Sequence, residues 1–124
     1  MARILVVDDQ PQITKITAMF LKQRGHEVTR ATGGEAALDL LRRQTFDLLI
    51  TDVDMPGMNG LSLISHDDAM DGLQGVIVLT GRTDYELLAV EQGRRNLRTM
   101  PKPLSPVRLT EMVEEFLTAD ASVS

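Results

Sequence analysis

The sequence contains no cysteine and no tryptophan, and among its 124 residues there are only one tyrosine, three phenylalanines and two histidines. Without cysteine there is neither a disulfide framework nor a thiolate metal site, which agrees with a cytoplasmic setting. His26 and His66 have no partner at metal-ligand spacing, and both read as surface residues. No apolar run approaches the roughly 18 residues needed to cross a bilayer. The first apolar stretch, Ile4–Val7, is too short for a signal-peptide core and ends on two carboxylates. Positive charge is also short: 13 Lys and Arg stand against 18 Asp and Glu, for a formal net charge of −5. Such a chain repels a polyphosphate on average, so direct nucleic-acid binding is not expected, and the short apolar runs argue against membrane insertion.

What is present is the balance of a globular protein, 43% hydrophobic and 25% charged. The length suits one domain, which can bury enough surface to fold without staples. Residues 1–120 are read as that domain and 121–124 as a frayed tail. No repeat, low-complexity tract or linker interrupts it.

Three apolar runs, Ile4–Val7, Leu48–Ile50 and Val76–Leu79, do not alternate with polar residues. That pattern predicts parallel strands covered on both faces. Glu27–Ala31 and Leu97–Met100 mix charge with apolar residues, as edge strands do. Helical spacing lies between the runs. Ile13, Ile16, Thr17, Phe20 and Leu21 predict a helix with Pro11 in its first turn and those residues on its apolar face. Thr32-Gly-Gly-Glu35 resembles a capping box, followed by Ala36, Ala37, Leu40 and Leu41. A less regular helix is predicted around Leu61–Ile64, after Asn59-Gly60, and another over Thr83–Gln92, closed by Gly93. The last has Ser105 as cap and Pro106 in its first turn. Leu109, Met112, Val113, Phe116 and Leu117 share one face.

Strand and helix thus alternate five times. The predicted fold is α/β, a (βα)5 doubly wound, five-stranded parallel sheet with right-handed crossovers. The three strongest runs are the first, third and fourth strands, the internal ones of the flavodoxin-like order 2-1-3-4-5.

Ligands of such sheets sit beyond the carboxyl ends of the strands. Strand one ends on Asp8-Asp9, strand three on Thr51-Asp52 and strand four on Thr80-Gly81, and strand five leads into Lys102-Pro103. Carboxylates about 4 Å apart repel by roughly 4 kcal/mol at an effective dielectric near 20. They protonate, splay apart or bind a cation, and hard oxygen donors suit Mg²⁺. An ionised Asp beside such a cation is able to attack phosphorus. Thr80 can then donate a hydrogen bond to one phosphoryl oxygen while Lys102 pairs with another.

The elements ILVVDD, LLITDVDMPGMNG, VIVLTG and PKP stand in this order along the chain. Together they resemble bacterial two-component response-regulator receiver domains, in particular the single-domain chemotaxis and cell-cycle regulators. The resemblance covers essentially the whole chain. It implies Asp52 as phosphoacceptor, with Mg²⁺ bound by the side chains of Asp9 and Asp52 and the backbone carbonyl of Asp54. Asp8 assists largely through water. It further implies Thr80 and Lys102 as the phosphoryl-binding pair and a cis Lys102–Pro103 peptide. The phosphodonor would be a sensor histidine kinase or a histidine phosphotransfer protein. With no effector domain in the chain, output would pass to a downstream protein. The chain itself would be a phospho-accepting signalling domain rather than an enzyme with turnover.

Several departures and modulating positions follow from the resemblance. Thr99 stands where many receivers carry an aromatic residue that turns inward on phosphorylation. Asp54 and Arg82 flank the mouth of the site, where an ion pair between them would hinder water. Gly81 leaves room for a phosphodonor. Arg94, Arg95 and Arg98 make a basic stretch, either simply solvated or a patch for an acidic partner. Arg42-Arg43 reads as a helix end and Asp67, Asp68 and Asp71 as a solvated face.

Three other functions compete. Asp52-Val53-Asp54 resembles the Asp-x-Asp of haloacid-dehalogenase-type phosphatases, but here the acidic pair precedes that motif and only 22 residues follow Lys102. A flavodoxin-like flavin carrier needs a phosphate-cradling first loop, and this loop is acidic. A pseudo-receiver that only docks would not need all the phosphorylation residues.

Overall fold

The computed structural model of the protein describes residues 1–81 and 96–123, with side chains through Thr118. The predicted helix Thr83–Gln92 with its stop at Gly93, together with Tyr85, Arg82, Arg94 and Arg95, lies outside the described residues.

Strands β1 (Arg3–Val7), β2 (Glu27–Ala31), β3 (Leu48–Asp52), β4 (Gly75–Thr80) and β5 (Leu97–Pro101) form one sheet. Its order is β2-β1-β3-β4-β5, and every neighbouring pair is parallel. All five strands fall where the apolar runs predicted them, and the weak ones are the edges. The helices are α1 (Pro11–Gln23), α2 (Gly34–Arg43), α3 (Gly60–Ile64), α4 (Asp67–Met70) and α5 (Pro106–Val123). The last runs into the segment read as a tail. The single helix predicted around Leu61–Ile64 is followed by α4, one further turn of chain. His66 and the carboxylates Asp67 and Asp68 open that turn, where negative charge suits a helix start.

Two apolar clusters sandwich the sheet because alternate strand residues point to opposite faces. Leu5, Val7, Leu49, Val76 and Val78 pack with Ala37 and Leu38 of α2, Leu63 and Ile64 of α3, and Met70 of α4. Ile4, Val6, Leu48, Ile50, Ile77 and Leu79 pack with Leu21 of α1 and Leu109, Met112, Val113 and Phe116 of α5. Both faces are thus buried, which is why the central strands carry no polar alternation.

Three local expectations are corrected. The Thr32–Glu35 capping box does not form. Gly33 is the N-cap residue, with no side-chain hydrogen bond, so Thr32 sits one position too early to reach the first turn. By contrast the Ser105 hydroxyl does accept the Arg108 N–H, 3.3 Å away. On α1 the buried face is Thr14, Thr17, Ala18 and Leu21, while Ile16 and Phe20 stand exposed. Apolar spacing placed Thr17 and Leu21 correctly but put Ile16 and Phe20 on this face where Thr14 and Ala18 stand. Thr14 stays satisfied there by donating to the Pro11 carbonyl at 2.9 Å.

The third correction concerns His26, which is buried rather than at the surface (8% exposed). Its Nδ1 lies 3.2 Å from the Ala2 N–H and its Nε2 3.2 Å from Glu114 Oε1. One neutral tautomer satisfies both contacts: Nδ1 accepts from Ala2 and Nε2–H donates to Glu114. The ring thereby ties the start of β1 to α5, at the end of the sheet opposite the strand carboxyl ends. His66, half-buried before α4, has no such role.

Candidate phosphoacceptor site

The carboxyl ends of β1, β3, β4 and β5 meet because their registers align. Val7 pairs with Thr51, Asp52 with Leu79, and Thr80 with Pro101, so the next residues, Asp8 and Lys102, arrive beside Asp52. Backbone pairing continues past the strand ends. Asp8 N–H donates to Ala31 O at 3.2 Å, Val53 N–H to Leu79 O at 3.1 Å, and Lys102 N–H to Thr80 O at 2.9 Å. The side chains that carry charge are thus mounted on sheet rather than on free loop.

Asp52 is buried, and Lys102 Nζ lies 2.8 Å from its Oδ1. The Asp54 N–H donates to the same oxygen at 3.2 Å, while the rest of Asp54 is exposed. The Lys102–Pro103 peptide is cis. Asp8 is as buried as Asp52, and its Oδ1 accepts the Gln10 N–H at 2.9 Å. Each of Asp8, Asp9 and Asp52 offers one carboxylate oxygen, and these oxygens all lie within 4.8 Å of one another.

Burial raises the Asp8 carboxyl above its ordinary range, and the charge of Asp52 adds to the rise. The Gln10 N–H and the Lys102 ammonium oppose it. Three carboxylates gathered this closely concentrate negative charge. An oxygen-seeking cation fits that donor set.

Thr80 is the last residue of β4 and is 7% exposed. Gly81 is exposed, and among the described residues a Cβ there would meet no atom within 4 Å. Thr99 is half-buried on β5, opposite Val78, away from the strand ends. Arg98 is paired with Glu115 and lies over the Phe116 ring, 5.5 Å from its centroid. The structure thus brings Asp8, Asp9, Asp52, Thr80 and Lys102 to the same ends of the strands. Arg82 lies outside the described residues. Sequence reading passed over the Gln10 backbone N–H, which holds Asp8. A backbone donor has no residue-type signal, although a residue two after an Asp is the usual partner in such turns.

Known proteins resemble this chain in both sequence and shape. A response regulator receiver protein of Anaeromyxobacter is 32% identical over 90% of the chain, which spans 47% of that relative, about half its length. Protein PilH of Pseudomonas aeruginosa is 35% identical over 82% of the chain and 87% of its own length. The solved CheY-like receiver domain protein of Methanospirillum hungatei superposes with a TM-score of 0.87, covering all of this chain and 99% of its own, at 26% identity. The family model of the response regulator receiver domain matches residues 4–114. With the parallel sheet in the order β2-β1-β3-β4-β5 and acidic residues gathered at its carboxyl edge, the chain belongs to the response regulator receiver domain family of two-component signalling.

Proposed function

We propose that the chain accepts a phosphoryl group on Asp52 from the phosphohistidine of a sensor kinase or phosphotransfer protein. The observation that carries this reading is one buried carboxylate, Asp52, with an ammonium 2.8 Å away and two further carboxylates within 4.8 Å. Asp9 and Asp52 would hold Mg²⁺ by their side chains and Asp54 by its backbone carbonyl, with Asp8 assisting through water. Bound there, Mg²⁺ supplies neutralisation of the phosphoryl charge.

The chain's own residues do the rest. An Asp52 oxygen forms the new bond to phosphorus as the bond to the donor imidazole nitrogen breaks, and that nitrogen takes up a proton as it leaves. Lys102, already on the acceptor carboxylate, follows the charge onto a phosphoryl oxygen. Thr80 donates its hydroxyl to another. The inward draw on Thr80 biases a pre-existing equilibrium of the surrounding loops, and a protein partner reads that bias. Hydrolysis of the acyl phosphate resets it. Output to a protein partner and a cytoplasmic location complete the reading. Residues 1–120 act as one signalling unit.

The test is intact-mass analysis after incubation with acetyl phosphate and Mg²⁺. One added phosphoryl group is expected, abolished by EDTA and by Asp52→Asn. No adduct with acetyl phosphate or with phosphorylated donor protein would leave only a docking role.

A further inference from the structure

The loop between β3 and α3 carries Asp54, and it is held in three places. Its start is tied to the acceptor itself through the Asp54 N–H. Its end returns to the acceptor backbone: Gly60 N–H donates to Val53 O at 3.1 Å, and a Cβ on Gly60 would overlap the Asp52 carbonyl oxygen. Between them the chain reverses at Gly57, with φ +75°, and brings Met58 onto the first turn of α2. There it meets Gly34. A Cβ on Gly34 would overlap the Met58 carbonyl oxygen and stand 2.9 Å from Met58 Cβ and Cγ. Real Cβ contacts essentially never fall under 3.0 Å. Because a carbonyl oxygen is among the clashing atoms, rotating a side chain gives no relief and the loop backbone has to move.

We propose that Gly34, in the first turn of α2, is a positioning residue for the metal-binding side of the site. It admits Met58 to close contact and so sets how near the Asp54 loop lies to Asp9 and Asp52. This rests on the Mg²⁺ reading above. Mg²⁺ demands near-ideal octahedral geometry, so the placement of a backbone carbonyl ligand matters to it more than to a looser cation. The neighbouring glycine supplies an internal control. Gly33 has extended backbone, and a Cβ there would meet nothing within 4 Å. Replacing either glycine adds one methyl at the same helix start, but only the methyl at 34 reaches the loop.

The experiment is a titration with MgCl₂ followed by amide chemical shifts in wild type, Gly33→Ala, Gly34→Ala and Met58→Ala. Gly34→Ala is expected to weaken Mg²⁺ binding by about tenfold, the loss typical when support of a metal ligand is disturbed. Met58→Ala, which loosens the same contact without a clash, should weaken it in the same direction. Gly33→Ala should bind as wild type. A folded Gly34→Ala with wild-type affinity overturns the proposal. If Gly34→Ala does not fold, wild-type affinity in Met58→Ala overturns it instead. Equal losses in Gly33→Ala and Gly34→Ala overturn it as well, because they would trace to the helix start alone. Failure of wild type itself to bind Mg²⁺ would bring down the metal reading together with this one, a result distinct from all the others.

Discussion

Asp8 shows most directly what each residue of the site contributes and what it costs. Its carboxyl is raised by burial and by the Asp52 charge. The raised folded value means that ionising Asp8 costs stability in the metal-free protein. Relative stability from this group is greatest below the ordinary carboxylate range and is lost as pH rises through the raised one. Asp8→Asn keeps an oxygen for the Gln10 N–H and removes the charge. In EDTA at neutral pH the variant is therefore expected to melt above wild type. The gap should close on acidification. Thermal melts of both proteins between pH 4 and 8 check this, and a variant no more stable than wild type at pH 7 would contradict it.

Asp54 makes a second prediction at this scale. Its N–H is committed to Asp52 while its side chain is exposed. If Asp54 and Arg82 shield phospho-Asp52 from water, Asp54→Ala and Arg82→Ala should each shorten the phosphoryl lifetime several-fold, on the order of 1 kcal/mol. Loss of radiolabel from purified phosphoprotein measures it. Unchanged lifetimes in both variants would dismiss the shield.

Elements are joined by contacts of very unequal weight. On α1, Leu21 is fully buried whereas Phe20 is 36% exposed one residue away. Leu21→Ala should cost about 3 kcal/mol and Phe20→Ala under about 1 kcal/mol, as urea unfolding would show. Comparable losses would mean that the inward face of the helix is assigned wrongly. His26 links elements differently, by polar contacts inside an apolar end of the sheet. His26→Ala strands the Ala2 N–H without its acceptor, a loss of about 1–3 kcal/mol. Faster hydrogen exchange at the Ala2 amide, together with lower stability, is the expected signature. Protection equal to wild type would remove the link. Phosphorylation by acetyl phosphate should survive the change, because the ring sits at the far end of the strands from Asp52.

For the molecule as a whole, a metal held by the carboxylate cluster would be coupled to stability. A ligand that binds only the folded state stabilises it by RT ln(1 + [L]/Kd), about 1.4 kcal/mol at tenfold excess over Kd. Mg²⁺ should therefore raise the melting temperature of wild type, and EDTA should reverse the rise. Asp9→Asn, which removes one of the three clustered carboxylates, should blunt the response. A melting temperature indifferent to Mg²⁺ would argue against the cluster as a cation site.

Much of this architecture was legible in the residues alone. Short uninterrupted apolar runs fit strands covered on both sides, and charge in the second and fifth runs fits edge strands. With the crossover rule, those facts imply the sheet order, and the sheet order implies where Asp8, Asp9, Asp52, Thr80 and Lys102 converge. Local patterning was therefore enough for the topology and for gathering these residues at one end of the sheet, while the roles proposed for them came from the family resemblance. Tertiary structure decided the rest. Whether Ile16 or Thr17 faces inward depends on what packs against α1, not on periodicity. The burial of His26 depends on Ala2 and Glu114, distant along the chain and absent from any local pattern. The seat of Met58 on Gly34 is likewise a contact between segments that no spacing connects. Periodicity and strand-end chemistry are local properties of a chain, whereas these contacts exist only once two of its parts compete for the same space.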